Sequence, residues 1–235
     1  MTTKRADLVG RPAAFFDVDG TLASSNVIST YVDFRVSGMS KLRRWAFFAR
    51  FLPMVAYYAF LDTRSRTRFL QTFLRNYTGT SAGALQTWAE AAVHGYWNRK
   101  LFAAARASIQ DHRDQGHYVV ILSGGLRDTL EPIAKHLGVD HLLATRMAST
   151  YGRYSGRLIN MPLSDSAKAH ASRALAEELG LDLSASYAYA DSFSDRALLE
   201  SVGHPVAVNP DRQLEALASD RRWPVQAWKH EAPEH

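Results

Sequence analysis

The 235-residue sequence has no cysteine. Disulfides, thiolate zinc sites and cysteine nucleophiles are therefore excluded. Long hydrophobic runs are also missing. The most apolar window, Trp45 to Leu61, contains Arg50 and Pro53 and falls short of the roughly 20 residues that span a bilayer. No apolar stretch precedes the Ala13–Val18 run, so a secretory leader is not expected and a cytoplasmic location is. There is no internal repeat, and the nine histidines show no metal-ligand spacing. What is present is 46% hydrophobic and 22% charged, the composition of a folded globular protein. The length suits one domain, or one domain with an insertion.

The net charge of +5 is unevenly spread. Residues 41–75 hold eight lysines and arginines against Asp62 alone, a local +7 that leaves the rest of the chain at −2. The basic character therefore belongs to one segment.

Four apolar runs read as strands buried on both faces of a parallel sheet. They are Ala13–Phe16, His117–Leu122, Tyr187–Ala190 and Pro205–Val208. Helical patterns separate them: Leu126 to Leu137 closing on Gly138, Ser164 to Leu179 closing on Gly180, and a short one over Asp195–Ser201. This alternation predicts an α/β fold, a three-layer parallel sheet with right-handed crossovers. Residues 26–110 break it with four helical segments, near Val27–Val36, Leu42–Leu61, Arg66–Tyr77 and Leu85–Ile109. The domain reading is a core of residues 1–25 and 111–235 with an all-helical insertion of 26–110. Met147–Ile159, turning at Tyr151-Gly152, reads as a small β-hairpin.

The first three strands each stop at a polar group, and ligands of open α/β sheets bind beyond the carboxyl ends of the strands. Asp17 with Asp19, Ser123, and Asp191 with Asp195 are thus expected in one crevice. Paired carboxylates two apart repel unless a cation offsets them. One can attack phosphorus, and the other can donate and recover a proton. Thr21 adds a hydroxyl. Ser123-Gly124-Gly125 offers a hydroxyl and open backbone N–H groups for an anion. Lys168 can neutralise a phosphoryl oxygen. Asp191 suits Mg²⁺. Each piece alone also fits ordinary loop and helix-cap chemistry.

In this order the pieces resemble the haloacid dehalogenase superfamily of phosphohydrolases, whose motifs are Asp-x-Asp-x-Thr (Asp17, Asp19, Thr21), a strand-end Ser (Ser123), a Lys (Lys168) and a strand-end acidic pair (Asp191, Asp195). The resemblance implies a core of that fold with the helical insertion as its cap. It makes Asp17 the nucleophile, Asp19 the general acid/base, and Thr21, Ser123, Gly124 and Lys168 the phosphate ligands. Mg²⁺ falls to Asp17, the Asp19 carbonyl and Asp191, with Asp195 supporting. The second aspartate points to a phosphate ester, since a halide leaving group needs no proton.

Within the superfamily the chain is similar to subfamily IB, the phosphoserine-phosphatase-like proteins and the phosphatidylglycerophosphate phosphatases. It departs from phosphoserine phosphatases at Asn26, where they carry a glutamate for the substrate amine, and at Leu126, where they carry phenylalanine. The expected substrate is a small phosphorylated metabolite. The alternative is a lipid or lysolipid phosphate, with the basic, aromatic segment 41–75 on an anionic membrane surface at the inner face. No base-reading motif accompanies the charge, so nucleic acid is not the expected partner. A phospho-accepting receiver domain shares strand-end aspartates and a lysine but not an 80-residue insertion. Phosphotransfer to an acceptor other than water is also compatible with these residues.

Overall fold

The structure, a computed structural model, describes residues 7–229; the tail after Trp228 lies almost wholly outside them. Six parallel strands form the main sheet in the order β3-β2-β1-β6-β7-β8. They are β1 (Pro12–Asp17), β2 (Tyr118–Leu126), β3 (His141–Thr145), β6 (Asp182–Ala190), β7 (His204–Val208) and β8 (Val225–Gln226). The central strand β1 is apolar up to its last residue, Asp17, and buried from Ala13 to Asp17, as a strand covered on both faces must be. Phe16 faces one core layer and stacks on Tyr189 at 4.5 Å. Phe15 faces the other layer.

Helices α6 (Arg127–His136), α7 (Ser166–Leu179), α8 (Arg196–Leu199) and α9 (Arg212–Arg221) follow the strands. Gly180 closes α7 in the left-handed conformation. The hairpin β4 (Met147–Thr150) and β5 (Arg153–Leu158) stands where Tyr151-Gly152 foretold a turn. The expected α/β fold is observed, with a parallel sheet, a helical insertion and a β-hairpin.

Between β1 and β2 lie α1 (Val27–Val36), α2 (Lys41–Arg64), α3 (Arg66–Leu74), α4 (Ala82–Ala92) and α5 (Ala103–Asp114). Three details differ from the sequence reading. Arg66–Tyr77 is helical only to Leu74 and ends in a 3₁₀ turn. Leu85–Ile109 is not one helix. After a π-helical turn at Val93–Trp97 the chain leaves the helix at Leu101, because its backbone is claimed elsewhere. Ser24 N–H donates to the Lys100 carbonyl at 2.9 Å, and Phe102 N–H donates to the Leu22 carbonyl at 3.0 Å. Strand β2 does not stop at Leu122; it continues through Ser123-Gly124-Gly125 to Leu126 with a register shift, so α6 opens one residue later at Arg127. No helix among the described residues is long and apolar enough to cross a membrane.

Candidate active site

Strand β1 ends at Asp17, beside Leu122 of β2. Beyond it the chain makes a tight loop, held by Gly20 N–H to the Ala23 carbonyl and Ala23 N–H to the Val18 carbonyl. Gly20 has φ +84°, and a Cβ there would overlap the Asp191 carboxylate. Both facts demand glycine. Asp191 lies just past β6, and the 3₁₀ turn Phe193–Asp195 carries Asp195 back toward β1.

Lys168, in the first turn of α7, binds both ends of this arrangement. Its Nζ donates to Asp17 Oδ1 at 2.6 Å and to Asp195 Oδ2 at 2.7 Å, all three side chains buried. Burial works against the lysine's charge, but the two carboxylates outweigh it and hold the ammonium above its usual range. One oxygen from each of Asp17, Asp191 and Asp195 lies within 4.8 Å of the others. Three carboxylates share one lysine, so the cluster carries excess negative charge. Burial, then Asp17, pushes Asp191 up to about 8. Burial also raises Asp195, to about 6, against the pull of Lys168. Asp195 Oδ1 is buried and has no hydrogen-bond partner. An orphaned carboxylate oxygen among converging carboxylates fits a hard divalent cation, which prefers oxygen ligands.

Asp19 accepts a hydrogen bond from Ser25 Oγ at 3.0 Å. Burial and the adjacent Asp17 charge raise it to about 6, with Arg66, Ser25 and Lys168 pulling the other way. Thr21 is buried and donates to Asp191 Oδ1 at 3.4 Å, behind the carboxylates. Ser123 is buried too, and its Oγ accepts the Gly125 N–H at 3.1 Å. Ser123 and Asp19 border the same small void, while Gly124 faces the main cleft. A Cβ on Gly124 would come within 2.6 Å of Leu70 Cδ1 from α3.

The cleft, about 970 Å³, is bordered by Asp17, Asp19, Gly124, Lys168, Asp191 and Asp195 on the sheet side. Asn26 also lines it, but its side chain caps α1 by accepting the Ser29 N–H at 2.8 Å. The opposite wall is the α2–α3 junction, Asp62 to Arg66. There Arg66 donates to Asp62 at 2.8 Å, and its charge is felt by Asp17, Asp19 and Asp195. Thr67 Oγ1 joins the two walls, 2.8 Å from Ser164 Oγ and 3.2 Å from Asp165 Oδ2. Sequence reasoning assigned no site role to Arg66, Asp62 or Asp165. Arg66 was hidden among the other arginines of its segment, and its distinguishing signal was Asp62 four residues earlier, the one acid there.

A strand-end aspartate pair, a helix-borne lysine joining distant carboxylates, and a facing helical wall thus meet in one cleft at the carboxyl ends of the strands. Residues 14–200 match the haloacid dehalogenase-like hydrolase family, to which the chain belongs. It is 34% identical over 217 residues to a probable phosphatase of Mycobacterium tuberculosis, covering 92% of this chain and 75% of that protein. A phosphoserine phosphatase of the same organism is 33% identical over 227 residues, covering 92% and 71%. A solved structure of a protein of unknown function from Bordetella pertussis superposes with a TM-score of 0.80 at 26% identity, covering 93% and 99%. The protein is a phosphatase of this family, similar to phosphoserine phosphatases.

Proposed function

We propose that the chain hydrolyses a small phosphate monoester through an aspartyl-phosphate on Asp17. The supporting observation is the Lys168 bridge. It occupies Asp17 Oδ1 and leaves Oδ2 free to attack phosphorus. In the first step the Asp17–phosphorus bond forms as the ester bond breaks, and the departing oxygen takes a proton from Asp19. In the second step water attacks phosphorus and gives its proton to Asp19. Free phosphate leaves and the Asp17 carboxylate returns. The raised value of Asp19, about 6, suits a group that must both hold and release a proton near neutrality.

Ser123, the Gly124 N–H and Lys168 receive the phosphoryl oxygens in this reading; Thr21, expected among these ligands, is buried and gives its hydroxyl to Asp191 instead. Asp17, the Asp19 carbonyl and Asp191 hold Mg²⁺, and Asp195 supports it. When bound, the ion supplies charge that favours the anionic transition state. Asn26 and Arg66 face the non-phosphate part of the substrate. Residues 1–25 and 111–235 act as the core and 26–110 as the cap, whose wall at Asp62–Arg66 limits water during the first step.

A second reading, a phosphate monoester carried on a lipid, is favoured by the exposed apolar side chains of α2. A panel of soluble phosphorylated metabolites assayed with Mg²⁺, with Asp17→Asn as the blank, tests the first. Turnover of at least one ester, abolished in the variant and by chelator, is expected. Turnover that survives Asp17→Asn would overturn it.

A further inference from the structure

Helix α2 packs against the rest of the protein through one narrow side and turns an apolar side outward. The packed side is Phe47, Phe51, Val55 and Tyr58, with Phe51 and Tyr58 buried. The outward stripe is Leu42, Trp45, Ala49, Leu52, Ala56 and Phe60, all exposed and spaced three or four residues apart, which aligns them on one face. The exposures are 80% for Leu42, 76% for Trp45, 61% for Leu52 and 54% for Phe60, so these are not edges of core residues. From Leu42 to Phe60 the stripe runs about 27 Å along the helix. A continuous outward apolar face of that length marks an interaction surface.

The charges beside it select the partner. Arg43, Arg50 and Arg64, spaced seven and fourteen residues apart, lie along one flank, all exposed, and Lys41 lies on the other side of the helix. The helix has one acid, Asp62, which is engaged by Arg66 at 2.8 Å and borders the cleft. A second copy of the chain laid on the stripe would bring arginine flanks together. An anionic lipid surface accepts the apolar stripe in its headgroup boundary and the arginines on its phosphates.

We infer that the outward face of α2 seats the protein on anionic membrane, parallel to the surface and without crossing it. The last turn of the same helix, Ala59 to Arg64, borders the catalytic cleft. Seating α2 therefore brings the cleft rim to the bilayer, within reach of phosphate monoesters carried on lipids. The docking stands by itself, whereas this consequence for substrate rests on the phosphatase reading.

The test is co-sedimentation of the full chain with vesicles of phosphatidylcholine containing phosphatidylglycerol, and with pure phosphatidylcholine, at low and high salt. Hydrolysis of a soluble chromogenic phosphate ester is measured on the same samples. Binding to the anionic vesicles at low salt, weakened by salt and by removing phosphatidylglycerol, is expected. The triple variant Leu42→Ser, Trp45→Ser, Leu52→Ser is expected to lose at least about tenfold in vesicle affinity with soluble hydrolysis intact, because its side chains are already in water in the unbound protein. Arg43→Gln with Arg50→Gln should flatten the salt dependence. Wild-type protein that hydrolyses the soluble ester but does not sediment at low salt overturns the docking and leaves the phosphatase reading standing. A triple variant that binds like wild type, or wild-type dimers that the triple variant converts to monomers, also overturns it. Vesicle binding by a protein without hydrolytic activity supports the docking and removes only the catalytic reading.

Discussion

Lys168 Nζ lies 2.6 Å from Asp17 Oδ1, joining residues 151 positions apart in the chain. The same ammonium reaches Asp195 at 2.7 Å. Lys168 thus ties α7 to the carboxyl ends of β1 and β6 and fixes which Asp17 oxygen faces the cleft. Lys168→Met should reduce turnover by about a thousandfold or more, since it removes both the orientation and the positive charge. It also leaves buried carboxylates unpaired, a loss of about 3–5 kcal/mol in urea unfolding, less whatever protonation recovers. Unchanged kcat in a folded Lys168→Met protein would contradict this role.

Gly20 is required by both its φ and its approach to Asp191. Gly20→Ala should cost at least about 1 kcal/mol of stability and displace the Asp191 carboxylate. The expected signature is a weaker apparent affinity for Mg²⁺ in activity titrations. Gly10 has a similar φ of +77° with open space around it, so Gly10→Ala should leave the metal titration unchanged.

Arg66 faces the site from the cap wall and is held by Asp62. Arg66→Gln should raise KM by about tenfold while lowering kcat less, as expected for a group that binds the substrate rather than the moving charge. Asp62→Asn frees the guanidinium and should give a smaller change in KM. Equal losses of kcat in both variants would place Arg66 in the chemical step instead.

A pH effect is expected away from the site. Buried His112 meets His117 through their Nδ1 atoms at 2.7 Å and the Tyr189 hydroxyl through Nε2 at 2.8 Å. Burial, then the charge of His117, lowers it from 6.5 to about 4, with Asp111 opposing. Above 6.5 His112 is neutral both folded and unfolded. Between that value and about 4 the unfolded chain takes up a proton that the native protein refuses, so stability falls as pH falls. The raised Asp191 and Asp195 act in the opposite direction. The measurable quantity is therefore the difference between wild type and His112→Gln in urea unfolding. Wild type should lose more stability than the variant on going from about pH 7 to about pH 5.

Much of this site was legible in the sequence because strand ends in a parallel sheet are marked where apolar runs meet polar groups. Asp17 and Asp191 are such places, and the sheet brings them together; Ser123 marks a register shift inside β2, not its end. Strand β3 was missed because His141–Thr145 is a short run with no polar stop of functional character. The break at Leu101 was invisible because it is caused by hydrogen bonds to Leu22 and Ser24, some 80 residues upstream. Periodicity reports a helix's own preference and carries no record of distant backbone partners. Arg66 was lost for a similar reason: charge patterning shows a basic segment but not which arginine turns inward.

The central claim is that phosphorus is transferred to the Asp17 carboxylate. Rapid acid quench during turnover of a chromogenic phosphate ester, followed by mass measurement of the proteolytic peptides, tests it most directly. The peptide holding Asp17 should gain the mass of one phosphoryl group, transiently and only in the presence of substrate, and Asp17→Asn should abolish both the gain and turnover. Sustained turnover with the gain on another peptide, or with no gain on any peptide when hydrolysis of the intermediate is the slow step, would contradict the account.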